Sequence, residues 1–116
     1  MSVTIFHNPS CGTSRKVLAA LREAGIEPDI RLYLKQPPSP IELKDLLGRL
    51  GMEPRALMRR KEKLYKELGL DDKSLDDKAL IEAMSQNPSL IERPIVIRGD
   101  KAVLCRPPEK VAEVLG

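Results

Sequence analysis

Residues 3–34 read VTIFHNPSCGTSRKVLAALREAGIEPDIRLYL. They begin with a short β-branched and aromatic run at 3–7, which is typical of a strand. Apolar side chains then recur at three- and four-residue steps as far as Gly25, the pattern of an amphipathic helix that stops at a glycine. Residues 29–34 alternate polar and apolar, which indicates a second strand. This stretch therefore predicts a βαβ unit with a right-handed crossover.

The next part of the chain is rich in helix signals. Ser39 can cap a helix, Pro40 suits its first position, and Glu42 completes a capping box. Gly51 is a suitable C-terminal stop for this helix. Charged, periodic stretches predict further helix over about 54–70 and about 75–86.

The C-terminal part returns to β structure. Residues 94–98 and 101–105 are apolar runs on either side of Gly99-Asp100, the spacing of a two-residue hairpin. A last helix is expected from Pro107. We therefore predict an α/β fold, βαβ then helices then ββα, around a four-stranded mixed sheet. We expect one domain over residues 1–116, with a helical insertion at about 39–92.

Composition excludes several classes of protein. The 116 residues carry a net charge of +3 and only three aromatic side chains, so nucleic-acid binding has little support. Two cysteines and one histidine cannot supply a four-ligand zinc site or a disulfide framework, and we expect no metal and no bound cofactor. No secretory signal or stretch of membrane-spanning length is visible, so we expect no membrane association and a reducing cytoplasm.

Cys11 lies between the first strand and the first helix, where its sulfur faces free backbone N–H groups. Lowering a thiol pKa by about 2 units requires about 2.7 kcal/mol, and a helix end supplies at most about 2 kcal/mol. Further donors or charges must therefore act, and His7, Ser14 and Arg15 are the local candidates. The alternative is a buried structural thiol, but the turn has no large apolar neighbour. We therefore interpret Cys11 as reactive.

The motif around this thiol is C-G-T-S rather than C-x-x-C. Ser14 cannot resolve a mixed disulfide, so an adduct on Cys11 must be cleared by an outside thiol or by Cys105. Cys105 ends an apolar strand, which is more typical of a core residue. An external reductant is the simpler expectation.

Arginines give a second signal. Arg93 and Arg106 each precede a proline, and Arg59 lies in the charged helical middle. If the three converge on Cys11, their planar forks match a tetrahedral oxyanion. Taken singly, each arginine is more typical of a solvated surface charge.

These blocks resemble the glutaredoxin-coupled arsenate reductase (ArsC) family over nearly the whole chain. The resemblance is carried by His7-Asn8-Pro9-Ser10-Cys11-Gly12-Thr13-Ser14-Arg15, Arg55-Ala56-Leu57-Met58-Arg59, Glu67-Leu68-Gly69-Leu70, Arg93-Pro94-Ile95-Val96 and Leu104-Cys105-Arg106-Pro107-Pro108. It implies a thioredoxin-like fold and a cis Arg93–Pro94 bond. The chain ends at Gly116, so we expect a short member that lacks the C-terminal extension of longer relatives.

The resemblance also implies a chemistry. Cys11 is then the nucleophile that attacks arsenate, helped by His7 and Ser14, while Arg59, Arg93 and Arg106 bind the oxyanion. Glutathione and glutaredoxin are the implied external reductants, and arsenite is the product. Two alternatives stay open: an Spx-like regulator that binds RNA polymerase, and a thiol-dependent reductase of another substrate. Spx-type proteins with a redox switch usually carry C-x-x-C, a motif that Ser14 breaks in this chain.

Overall fold

The computed structural model describes residues 2–115, which form two compact units. One unit comprises the chain up to Gln36 together with the chain from Arg93 onward, and the other comprises Pro37–Glu92. The second unit thus begins two residues before the predicted insertion and ends at the same residue. That the whole chain is a single domain stays a prediction.

The first unit is built on a four-stranded sheet in the order β2-β1-β3-β4. Its strands are β1 (Val3–Phe6), β2 (Asp29–Arg31), β3 (Ile95–Arg98) and β4 (Lys101–Leu104). The β1–β2 pair is parallel, and the β1–β3 and β3–β4 pairs are antiparallel. The predicted mixed sheet is therefore confirmed, as is the hairpin at Gly99, whose φ is 60°.

Helix α1 (Gly12–Glu23) connects β1 to β2. Its residues Val17 and Leu21 are fully buried in a core that also contains Ile5 and Val96 of the sheet. The helix ends as predicted, with Gly25 at φ 82°, a left-handed conformation that glycine adopts without steric cost.

Strand β2 is shorter than the alternation at 29–34 predicts. After Arg31 the chain turns, and the backbone N–H groups of Lys35 and Gln36 both donate to the Leu32 carbonyl. Tyr33 is buried and stacks on Phe6 at 6.4 Å between ring centroids. The apolar residue after the strand therefore packs from a turn, and the predicted extension to residue 34 is wrong.

The second unit is helical. Helix α2 (Pro40–Leu50) has the predicted capping box: Glu42 N–H donates to Ser39 Oγ, and Ser39 N–H donates to the Glu42 carboxylate. Gly51 ends it at φ 66°. Helix α5 (Asp77–Gln86) packs against α2 and begins two residues later than expected, because Asp76 caps it by accepting from Ala79 N–H.

The helical structure expected over about 54–70 is present but interrupted. It consists of two short helices, α3 (Pro54–Leu57) and α4 (Lys63–Glu67), and Met58 between them is extended and pairs with Ile91. Arg55 holds this arrangement, because its Nη1 donates to Tyr65 Oη and to the Leu70 carbonyl, both at 2.5 Å.

The C-terminal helix is also divided. A 3₁₀ helix at Pro108–Val111 leads into α6 (Ala112–Leu115). Val111 and Val114 are buried in the same core as α1. Two peptide bonds in this unit are cis, Arg93–Pro94 and Arg106–Pro107. The first was implied by the family resemblance and is confirmed.

Candidate functional site

Cys11 is the N-cap residue of α1, in extended conformation at φ −96° and ψ 121°. Asn8 shapes the loop before it: its side-chain oxygen accepts from Ser10 N–H, and its carbonyl accepts from Cys11 N–H, both at 3.0 Å. The thiol is partly exposed. The local fold thus places the sulfur at the open end of a helix, as the sequence predicts.

The surroundings of the sulfur lower the pKa of Cys11 below its usual value. The largest single effect, burial, acts to raise it. The opposing effects together are stronger: a hydrogen bond from Ser14 N–H, the positive charge of Arg93, a hydrogen bond from Thr13 N–H and one from the Arg93 side chain. Helix N–H groups and a guanidinium therefore act together on the thiolate, as the free-energy comparison requires.

Sheet register brings two of the predicted arginines to this thiol. Phe6 pairs with Ile95, and Ile95 pairs with Leu104, so residues just beyond these pairs share one edge of the sheet. Arg106 Nη1 lies 4.0 Å from Cys11 Sγ and donates to the Arg93 carbonyl at 3.2 Å. Three of the predicted site residues, Cys11, Arg93 and Arg106, are thus in one cluster.

His7 and Ser14 form a buried pair beneath the loop. His7 Nδ1 lies 2.6 Å from Ser14 Oγ, which also accepts from Asn8 N–H at 3.1 Å. Burial, with smaller effects from Arg22 and Arg15, lowers the pKa of His7. Within residues 2–115, no hydrogen bond joins His7 to the Cys11 sulfur. The pair therefore holds the loop in shape, and its effect on the thiolate stays a prediction.

Arg59 belongs to the second unit. Its backbone N–H donates to the Leu90 carbonyl at 2.7 Å. Its guanidinium forms ion pairs with Glu62 at 3.4 Å and with Glu92 at 3.7 Å. The role of Arg59 toward an oxyanion stays a prediction.

Cys105 is a core residue, as predicted. Its side chain is fully buried, and its sulfur lies 3.6 Å from the Val103 carbonyl oxygen. Burial, with a contribution from Glu113, raises the pKa of this thiol to about 12. It is therefore a poor nucleophile at neutral pH.

Sequence reasoning missed two features of this site. From the sequence, Asn8 is assigned no part in shaping the Cys11 loop, although Asn before Pro and Ser is a known turn signal. The meeting of Arg93 with Arg106 was also left open. A two-residue turn at Gly99-Asp100 already fixes the register that places them opposite each other.

Neither a metal-ligand cluster nor a membrane-spanning helix is found in the described part of the chain. Among residues 2–115, no group of three or more His, Cys, Asp or Glu side chains is placed to hold a metal ion. No helix in that range is long and apolar enough to cross a membrane.

The fold and the site define the class of this protein. It has a mixed four-stranded sheet with helices, and a cysteine at the start of α1 whose thiol interacts with the arginine of a cis Arg93–Pro94 bond. These features make it a thioredoxin-like α/β protein. The chain belongs to the ArsC family, which matches residues 6–114.

Relatives cover the chain almost completely. It is 54% identical to the uncharacterized protein YfgD of Escherichia coli over 98% of this chain and 97% of that protein. It is 50% identical to an arsenate reductase of Haemophilus influenzae over 99% and 100% of the two chains. The solved structure of an arsenate reductase from Vibrio cholerae superposes with a TM-score of 0.96 at 53% identity, covering 98% of each chain.

Proposed function

We propose that this protein is an arsenate reductase that uses Cys11 as its nucleophile and glutathione and glutaredoxin as external reductants. The observation that best supports this activity is the cluster of Cys11, Arg93 and Arg106, in which a thiol of lowered pKa faces guanidinium groups. The names of relatives such as the Haemophilus influenzae enzyme support arsenate as the substrate.

In the first step the Cys11 thiolate attacks arsenic, and one arsenate oxygen leaves as water after taking up a proton. The product is a thiolate–arsenate adduct in which arsenic is still pentavalent. Arg93 and Arg106 neutralise the negative charge of the oxyanion and hold it against the sulfur. The lowered pKa supplies a nucleophile that is ionised in a larger fraction of molecules at neutral pH.

The reduction then needs two electrons. Glutathione attacks the adduct and becomes bound to arsenic through sulfur, with loss of a second oxygen as water. A glutaredoxin thiol attacks that sulfur, so a mixed disulfide leaves, arsenic becomes trivalent, and water releases arsenite from Cys11. In sum, arsenate and two thiols give arsenite, one disulfide and one water.

The buried Cys105 supports the dependence on outside thiols. With its sulfur fully buried and its pKa raised to about 12, it is poorly suited to resolve an adduct on Cys11. We propose that Arg59 completes the oxyanion pocket and that His7 and Ser14 act by fixing the shape of the Cys11 loop. The reducing cytoplasm is the compartment that suits this chemistry.

Purified protein tests this proposal directly. With arsenate, glutathione and glutaredoxin we expect arsenite, and omission of either thiol reductant stops turnover. Cys11→Ser should abolish arsenite formation, whereas Cys105→Ala should retain most of it under conditions where the variant is folded. No arsenite from wild-type protein, in an assay where a known reductase works, would refute the proposed activity. Equal loss in both variants would instead indicate an intramolecular disulfide.

A further inference from the structure

The guanidinium of Arg59 is surrounded by acceptors from its own unit. Nη2 lies 3.4 Å from a Glu62 carboxylate oxygen, and Nε lies 3.7 Å from one of Glu92. Nη1 lies 3.4 Å from the Ser89 carbonyl. We call Arg59, Glu62 and Glu92 the Arg59 cluster. Its two carboxylates and one guanidinium carry a net charge of −1, which is unusual around an arginine proposed to bind an anion.

The backbone fixes the positions from which these side chains project. Arg59 N–H donates to the Leu90 carbonyl, and Glu92 N–H donates to the Leu57 carbonyl at 2.8 Å. Glu62 is held three residues after Arg59, where its N–H donates to the Arg59 carbonyl at 3.0 Å. The carboxylates are therefore built in beside the guanidinium.

Glu62 lies next to Arg59 Nη2, the guanidinium nitrogen that an oxyanion held by two hydrogen bonds must use. A guanidinium grips two oxygens either through Nη1 and Nη2 or through Nε and Nη2. Both arrangements use Nη2, which faces Glu62. An anion held by Arg59 through two hydrogen bonds therefore has an oxygen next to this carboxylate.

A carboxylate in that position distinguishes oxyanions by their protons. At neutral pH arsenate and phosphate still carry a proton on oxygen, whereas sulfate carries none. The protonated anions can donate a hydrogen bond to the Glu62 carboxylate. Sulfate has no proton to donate, so its negative charge only repels that carboxylate. A site that uses such a bond rejects a ligand that lacks the donor.

We propose that Glu62 is a specificity-determining residue that lets the Arg59 cluster accept hydrogen-bearing oxyanions and reject sulfate. The inference rests on the proposed role of Arg59 in the oxyanion pocket. Glu92, at the longer distance and on Nε, has the smaller effect. Arginines alone supply only positive charge and donors, so they bind the three anions with little discrimination.

The test measures how arsenate, phosphate and sulfate protect Cys11 from iodoacetamide, in wild-type protein, Glu62→Gln and Glu67→Gln. Glu67 is a matched control, because it is the last residue of α4, the short helix whose N-cap residue is Glu62, and it pairs with Lys63 at 3.5 Å. In wild-type protein and Glu67→Gln, arsenate and phosphate should protect at concentrations at least about tenfold below sulfate. In Glu62→Gln, sulfate should improve about tenfold while arsenate changes less than about threefold.

The other possible outcomes of this comparison would overturn the proposed role of Glu62 or assign it elsewhere. Equal improvement for all three anions in Glu62→Gln would show a general charge effect and overturn the proposal, as would no change. Glu92→Gln should shift the ratio in the same direction by less, and a larger shift there would assign the role to Glu92 instead. Protection without arsenite formation would refute the proposed reaction but leave this comparison valid. No protection of wild-type protein by any of the anions would overturn both.

Discussion

The Arg106 side chain donates to the backbone carbonyl of Arg93 at 3.2 Å, while Cys105 N–H donates to the Pro94 carbonyl at 2.9 Å. The β3–β4 hairpin therefore places Arg93-Pro94 opposite Arg106-Pro107, and the Arg106 guanidinium contacts the Arg93 backbone. Arg106 is fixed by this contact with Nη1 at 4.0 Å from the Cys11 sulfur. Its orientation depends on backbone that the sheet itself holds.

Replacing Arg93 by Lys should impair the site although the charge is kept. An ammonium cannot grip two oxygens in the plane of a guanidinium, so we expect kcat/KM for arsenate to fall about tenfold or more. Steady-state kinetics measure this, with the exposed Arg60→Lys as control. Unchanged kinetics in Arg93→Lys would remove Arg93 from the oxyanion pocket.

The reactivity of Cys11 should depend on pH with a midpoint below that of an ordinary thiol. Because the lowered pKa favours the thiolate, the iodoacetamide rate rises as pH increases through that pKa and is level above it. In Arg93→Gln the midpoint moves upward, since one positive charge and one donor are lost. Mass spectrometry should assign the label to Cys11, because Cys105 has a pKa of about 12 and is buried. A wild-type midpoint equal to that of the unfolded chain would contradict the proposed thiolate stabilisation.

His7 should titrate below 6.5, and its NMR signal is unambiguous because it is the chain's one histidine. The unfolded chain then binds more protons than the folded chain as pH falls below 6.5. The His7 contribution to stability is therefore fully present above pH 6.5 and is lost as pH falls through the folded pKa. A folded-state pKa at or above 6.5 would contradict the burial of His7 beside the positive charges of Arg22 and Arg15.

Ser14→Ala should destabilise the Cys11 loop. The substitution leaves the Asn8 N–H and His7 Nδ1 without their shared partner, which costs about 1–3 kcal/mol in the free energy of unfolding. Urea denaturation measures this, with the exposed Ser10→Ala as a milder control. An unchanged midpoint would show that water replaces the hydroxyl without cost.

Gly48 inside α2 and Gly51 just after its last residue should respond oppositely to replacement by alanine. Gly48 lies inside the helix, and a Cβ there meets nothing within 4 Å, so Gly48→Ala should stabilise by about 0.5–1 kcal/mol. Gly51 has φ 66°, where a side chain is strained, so Gly51→Ala should destabilise by about 1 kcal/mol. The two midpoints in urea should move in opposite directions, and movement in the same direction would contradict the helix end at Gly51.

Signals contained within a few residues were predicted correctly. The capping box of Ser39 and Glu42 and the hairpin turn at Gly99 depend on neighbours in sequence. The interruption of the helical stretch at 54–70 was not predicted, because Met58 pairs with Ile91, a partner that no local pattern announces. Tyr33 likewise ends β2 early by packing on Phe6 from a turn.

In the site, too, features set by neighbouring residues were predicted and features set by distant residues were not. The position of Cys11 at the start of a helix follows from its own turn, so the sequence predicts it. The approach of Arg106 to that sulfur depends on the pairing of β1 with β3 and of β3 with β4. The Glu92 carboxylate beside Arg59 was missed because it reaches Arg59 through backbone pairing far along the chain.

The contrast between a partly exposed Cys11 and a fully buried Cys105 limits what oxidants can do to this molecule. The other cysteine is enclosed in the core, so a sulfenic acid formed on Cys11 is not expected to condense with it while the core stays closed. We expect recovery of an oxidised Cys11 to depend on small thiols supplied from outside the chain.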